Sequence, residues 1–325
     1  MSTLVLGAGL IGNLTATQLL DRGEVVVLAD LSMPQLAHKP ADRLTKVRLD
    51  VTDFPALMDT VSKHGVRRIV HTAALLSSAI RQDPLLGIHV NVMGTANVIE
   101  CARKMALQRV VLASSTTLAY NTFGNHGPQS IEEDVPMRLL SERPASIYAA
   151  TKLAGEQLAL LYNDLYGVDT VSLRYGAVIG GDMEHPTSVP GRLMKSLVQS
   201  ARNNQTCNLE DPLFIWGGRE EFVDARDCAS ANVCALFSTH LKQRVYNIAS
   251  GEWFTLREFV QTMQQVLPQL QVKFTSEPES GFAGFPHKRP SPSNIEAARL
   301  ELSFQTSHSL KETMAFWCGI EKNKI

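Results

Sequence analysis

Through the first half of the chain, short runs of consecutive apolar residues alternate with stretches in which apolar residues recur every three to four positions. Thr3-Leu-Val-Leu enters Gly7 as a run too short for a helix and reads as a buried strand. Asn13 to Leu20 has helical spacing and ends in Asp21-Arg-Gly23, with Gly23 as the C-terminal cap. Glu24-Val-Val-Val-Leu-Ala-Asp30 reads as a second buried strand and Lys46 to Asp50 as a third. A helix is expected from about Asp53 to His64, closed by Gly65, followed by a strand and its exit loop over Arg67 to Ala74. Asp83-Pro84 offers an N-cap and a first-turn proline to a helix that carries Asn91-Val-Met-Gly-Thr95 and runs to about Met105. Arg109 to Ser115 follows as the fifth strand, Tyr148 opens a long helix ending near Gly167, and Asp169 to Arg174 forms the sixth strand. The alternation predicts an α/β fold, a Rossmann-type doubly wound parallel sheet with helices on both faces.

Beyond Gly180 the alternation loosens, and Gly and Pro cluster around Gly180-Gly181, Pro186, Pro190 and from Pro278 to Pro292. Loops on a rigid scaffold carry specificity. The expected organisation is a dinucleotide-binding domain over residues 1–179 and a smaller, interleaved substrate-binding lobe over 180–325. Segments from about 222 to 250 return to the first domain, and Arg244-Val-Tyr-Asn-Ile248 extends its sheet.

The bulk numbers narrow the class. At 325 residues and 44% apolar content the chain can bury an ample core. A net charge of -1 offers no basic excess for nucleic acid or an anionic membrane. No run of 18 or so apolar residues is expected to cross a bilayer, and a first strand entered within three residues leaves no room for a signal peptide. Five cysteines without a CxxC pair fit reduced thiols in a cytoplasm. Nine histidines and five cysteines show no ligand spacing, so no metal is expected. Asn13 stands where a P-loop needs lysine, and no G-x-S-x-G elbow exists, which disfavours triphosphate hydrolysis and serine hydrolysis.

Two motifs carry chemistry. In Gly7-Ala-Gly9-Leu10-Ile11-Gly12, Gly7 permits a tight turn, Gly9 lets the backbone approach a pyrophosphate, and Gly12 lets helix and strand pack closely. The helix N-terminus then presents N–H groups to the phosphates. Asp30, about 20 residues further on, is placed to accept hydrogen bonds from ribose hydroxyls. Its charge repels a 2′-phosphate, so NAD is favoured over NADP. In Tyr148-Ala-Ala-Thr-Lys152 the two functional residues are four apart and share one helix face. A cation beside a phenol favours the phenolate and lowers its pKa from about 10, giving a general acid/base for a hydroxyl or carbonyl.

With these residues in place, the chain resembles the extended short-chain dehydrogenase/reductase family, which contains sugar epimerases, dehydratases and dehydrogenases. The resemblance runs through the glycine turn, Asp30, Asp50, Ala73-Ala74, Asn91-Val-Met-Gly-Thr95, Ser114-Ser-Thr116, Tyr148-x-x-x-Lys152 and Leu173-Arg-Tyr175 to Arg289-Pro290 and Trp317. Leu6 replaces the family's leading glycine, so the turn reads as G-x-G-x-x-G. The resemblance implies Thr116, Tyr148 and Lys152 as the catalytic set. It implies Asp50 and Val51 at the adenine, Ala73 and Ala74 beside the diphosphate, and Tyr175 among the cofactor contacts. Asn91 is grouped with them and expected to bond backbone near the site, His71 is expected to be a packed strand residue, and Ser77 and Gly176 are assigned to substrate. Related enzymes pair the helices bearing Asn91 and Tyr148 into a four-helix bundle, so a homodimer is expected, with Ala149, Ala150, Leu153, Leu160 and Leu161 facing outward.

Departures from the family pattern bear on function. Dehydratases carry an acidic pair where this chain has Thr117 and Leu118, and decarboxylases a Glu at Leu118. Nucleotide-sugar members place an Arg where Glu220 stands and an Asn where Ala177 stands. The expected substrate is therefore a small sugar, sugar acid or polyol, with Arg219 and Arg289 pairing with a substrate carboxylate. An NAD-dependent dehydrogenase fits these residues. A nucleotide-sugar epimerase with tightly bound NAD, or a dinucleotide sensor without catalysis, remain alternatives.

Overall fold

The computed structural model describes residues 2–32, 42–127, 129–136, 146–181, 186–274 and 278–320. Its first half alternates β1 (Ser2–Leu6), α1 (Leu10–Asp21), β2 (Val25–Asp30), β3 (Leu44–Arg48), α2 (Phe54–Lys63) and β4 (Val66–His71). Then come α3 (Ser77–Gln82), α4 (Pro84–Ile88), α5 (Gly94–Lys104), β5 (Arg109–Ser115), α6 (Ile147–Tyr166) and β6 (Thr170–Tyr175). A seven-stranded sheet has the order β10-β6-β5-β4-β1-β2-β3, where β10 is Val245–Ile248. Every strand pair in it is parallel. The expected α/β fold is therefore present, and Arg244 to Ile248 does return to pair with β6.

Chain order reverses between β1 and β4, so their carboxyl ends, Leu6 and His71, open a crevice where ligands bind in such sheets. One apolar cluster, with Val5, Val26, Val111 and Leu173, fills one face of the sheet. A second, with Leu4, Val27, Ile69 and Ile99, fills the other.

After β6 the chain forms β7 (Ala177–Ile179), α7 (Val189–Arg202), β8 (Thr206–Leu209), β9 (Glu220–Asp224) and α8 (Ala225–Phe237). Past β10 come β11 (Trp253–Phe254), α9 (Leu256–Val266), β12 (Gln271–Phe274), α10 (Glu296–Glu301) and α11 (Leu310–Trp317). Of the segment expected to return at about 222–250, α8 packs on α1 and β10 joins the large sheet. β9 instead forms a second sheet, ordered β11-β9-β7, and β12 pairs with β8. A separate apolar core gathers Trp216, Phe222, Phe259 and Phe282, with Trp216 edge-on to Phe259 at 5.6 Å.

Two local expectations change. His89–Met93, which contains Asn91, is a π-helical turn between α4 and α5, a feature apolar spacing does not report. The helical run Pro84–Lys104, 21 residues with a mean hydropathy of 1.2, is long and apolar enough to cross a membrane by length and composition, although polar residues interrupt it, which a search for unbroken apolar runs does not report. Within this fold 44% of that window is buried, and Val98, Ile99, Cys101 and Ala102 turn into the core.

Candidate active site

The glycine turn closes directly on the loop after β4. Gly7 has φ of +93°, and a Cβ there would lie 2.4 Å from the Ala73 nitrogen. A Cβ on Gly12 would lie 1.8 Å from the Gly7 carbonyl oxygen, so α1 and β1 pack as closely as the motif demands. A Cβ on Gly9 would meet nothing within 4 Å. Gly9 is the N-cap of α1 without any side-chain cap, and Leu10 and Ile11 remain partly exposed. The first N–H groups of α1 are thus left for an anion. Asp30 accepts from the Ala8 N–H at 2.7 Å and from the Ser32 N–H at 3.1 Å, which seats its carboxylate beside the turn. Asp50 accepts from the Thr52 N–H and hydroxyl at 2.9 and 2.7 Å, and Asn97 holds the Val51 carbonyl. Ala73 and Ala74 border the same crevice, where the Ala73 N–H donates to the Leu6 carbonyl. A tight uncapped turn, an open Gly9 and an acid at the end of β2 fit a dinucleotide.

Ser146 caps α6 by accepting from the Ala149 N–H, which sets where Tyr148 and Lys152 emerge. The Lys152 ammonium lies 5.7 Å from the Tyr148 ring centre and donates to the Ala113 carbonyl at 2.7 Å. Burial pulls Lys152 down to about 8. Burial also pushes Tyr148 up to about 12, opposed by hydrogen bonding with the Ser115 side chain. The lowered phenol pKa expected from the spacing is thus not reached by these groups, because desolvation of the phenolate outweighs the Ser115 hydrogen bond. Ser115 itself was absent from the expected set. Ser114, Ser115 and Thr116 form a run of three hydroxyls, and only strand geometry decides which one meets Tyr148. Thr116 is buried and opens a 3₁₀ turn, Thr116–Asn125. His71 is buried and pulled down to about 3, first by burial and then by the Lys152 charge, so it is a neutral packed residue bonded to Thr95.

Asn91 clamps Leu75 through both its N–H and its carbonyl, at 2.8 and 3.0 Å, and reaches Thr151 on α6 at 3.1 Å. It ties the loop before Ser77, which opens α3, to the helix of Tyr148 and Lys152. Gly176 follows β6, and a Cβ there would touch Ala249 at 3.5 Å.

Three assignments are corrected. The Tyr175 hydroxyl points into the core and donates to Asn232 at 2.6 Å, so it is not presented to a cofactor. Arg289 is fully buried. It donates from Nε to Glu220 at 2.7 Å, and its Nη1 lies 3.1 Å from Glu221. Burial works against the Arg289 charge, and the two carboxylates outweigh it. Arg219 turns away, donating to Glu258 at 2.8 Å and to the Trp253 carbonyl at 3.0 Å. Although their backbones form an isolated bridge, the two arginines do not converge on one carboxylate. Arg219 lies just before β9 and stays partly exposed, whereas Glu220 and Glu221 are both buried against Arg289.

The glycine turn and Asp30 thus fit a dinucleotide, and α6 sets Tyr148 and Lys152 side by side. A model of the NAD dependent epimerase/dehydratase family matches residues 3–249, and the chain belongs to that family. A putative UDP-glucose 4-epimerase of Methanocaldococcus jannaschii is 27% identical over 78% of this chain and 77% of its own. The mitochondrial L-threonine 3-dehydrogenase of Bos taurus is 27% identical over 70% of this chain and 58% of its own. The crystal structure of Thermus thermophilus UDP-glucose 4-epimerase in complex with NAD superposes with a TM-score of 0.76, 23% identity and full coverage of both chains. The protein is an NAD-dependent enzyme of the oxidoreductase and epimerase class, resembling the extended short-chain dehydrogenases as its motifs imply.

Proposed function

We propose that this protein is an NAD-dependent dehydrogenase acting on a secondary alcohol of a small sugar, sugar acid or similar polyol that carries no nucleotide. One observation carries the reading: the buried Arg289 guanidinium is matched by Glu220 and Glu221. A nucleotide diphosphate brings at least two charges that need free donors, and the charge of this arginine is already matched by two carboxylates, which leave only its Nη2 without a partner. Bound NAD supplies the hydride acceptor. Tyr148 takes the hydroxyl proton, Lys152 supports the phenolate charge, Ser115 bonds Tyr148, and Thr116 is the further hydroxyl assigned to the reacting oxygen. Leu118, buried and without an ionisable atom, offers no second acid for dehydration.

An epimerase using retained NAD is the second reading, favoured by the UDP-glucose 4-epimerases among the relatives. Purified protein is incubated with NAD and either aldonates and polyols or UDP-sugars. The dehydrogenase accumulates NADH with the small alcohols. Micromolar binding of UDP by calorimetry, with no net NADH, overturns this reading in favour of the epimerase.

The proposed assembly is a homodimer in a reducing cytoplasm, consistent with five free cysteines. Leu85, Met93, Leu161, Leu165 and Tyr166 are exposed apolar residues on adjoining helical segments, a concentration that marks an interface. Ala150 is exposed and Leu160 partly so, whereas Ala149 and Leu153 pack inward and are removed from the expected outward set.

A further inference from the structure

The small lobe lines the substrate side of the fold, and the arginines nominated there for a carboxylate are both engaged. The others described in its helices and strands are largely engaged too: Arg226 with Asp224, Arg244 with Asp169 and Arg299 with Glu296. Arg192 differs. Among the described residues no carboxylate pairs with it, and its guanidinium lies 5.6 Å from the Phe214 ring centre. Its Nε is buried from solvent and has no hydrogen-bond partner. A buried N–H of a charged group left unmatched is costly, so its occurrence marks a place where an acceptor is expected.

The position of Arg192 agrees with its chemistry. It lies in the first turn of α7, where Ser188 caps by accepting from the Gly191 N–H. The helix dipole there favours an anion. This turn adjoins the cofactor crevice through only two residues. A Cβ on Gly191 would lie 3.7 Å from the Gly180 carbonyl oxygen, and one on Gly181 would lie 3.4 Å from the Leu10 side chain at the start of α1. The path of contacts from the glycine turn to α7 therefore runs through Gly181 and Gly180.

We infer that Arg192 binds the carboxylate of the substrate and so selects hydroxy acids over neutral polyols. A planar guanidinium fork pairs with a carboxylate through two parallel N–H···O bonds, and the apolar Phe214 face holds its plane. The inference rests on the proposed dehydrogenase activity and names its substrate class.

The test compares wild type with Arg192→Gln and Arg192→Lys on gluconate, galactonate, erythronate and threonate, each beside its neutral alditol, reading NADH. Loss of the charge-assisted pair is expected to raise KM for the best acid about 10- to 100-fold, with Arg192→Lys intermediate. Kinetics on any neutral alditol and the affinity for NAD are expected to stay as in wild type, which separates lost recognition from lost folding. An acid whose KM is unchanged in Arg192→Gln overturns the role of Arg192 and leaves the dehydrogenase reading standing, as does an equal rise in KM for acid and alditol. Wild type that oxidises alditols but no acid also overturns it, and wild type inert toward all of them overturns both readings.

Discussion

Glu220 accepts the Nε–H of Arg289 at 2.7 Å and the phenolic hydroxyl of Tyr120 at 2.8 Å, with all three groups buried. The same carboxylate that removes Arg289 from any substrate thus ties β9 to the 3₁₀ turn that begins at Thr116. Removing one partner of a buried pair leaves the other charge uncompensated. Glu220→Ala is expected to lower stability by about 3 kcal/mol, measured by urea denaturation. The buried Glu221, pushed up by burial against the pull of Arg289, remains as the second counter-charge. A loss below about 1 kcal/mol would mean that the pair behaves like a surface bridge.

Tyr148→Phe is expected to cut turnover by about 100-fold or more while NAD affinity stays nearly unchanged, because only the proton-transferring oxygen is deleted. Comparable turnover would remove Tyr148 from the mechanism.

With Tyr148 pushed up to about 12, alcohol oxidation, which needs the phenolate, is expected to quicken as pH rises above neutrality. Lys152→Met removes the supporting cation and should move that rise to higher pH. The same substitution acts on stability in the favourable direction. Lys152 falls from 10.5 to about 8 on folding, so between those values the unfolded chain binds more protons and stability rises with pH. Below about 8 the full penalty of holding the charge applies, and Lys152→Met should melt later than wild type at pH 7. A mutant that is both slower and less stable would contradict the desolvated lysine.

Asp30→Ser combined with Leu31→Arg is expected to shift preference toward NADP, since a repelling carboxylate is replaced and a phosphate-binding fork added. Cofactor titrations of both proteins check this. A wild type that already prefers NADP would remove the assigned role of Asp30.

Leu161 is exposed on the face of α6 that the proposed dimer covers. Leu161→Glu is expected to convert a dimer into a monomer by light scattering at micromolar concentration, because a charge would be buried without a partner. Wild type that is itself monomeric ends the dimer reading.

What the sequence determined by itself are the features set by local rules. Strand and helix periods, the tight turn at Gly7 and the four-residue spacing from Tyr148 to Lys152 all act within a few residues of the chain. The parallel sheet and the cofactor crevice follow from their order. Tertiary structure alone decided which charges are free. Arg219, Arg289 and Arg192 read alike as letters, but their partners are Glu258, the Glu220–Glu221 pair, and none among the described residues. Glu258 lies 39 residues from Arg219, and Glu220 lies 69 residues from Arg289. Likewise Ser115, rather than its neighbour Thr116, acts on Tyr148, and the Tyr175 hydroxyl is taken by Asn232, 57 residues away. Electrostatic matching and desolvation depend on distance in space and on the water excluded around each group, and neither quantity is written in neighbouring residues.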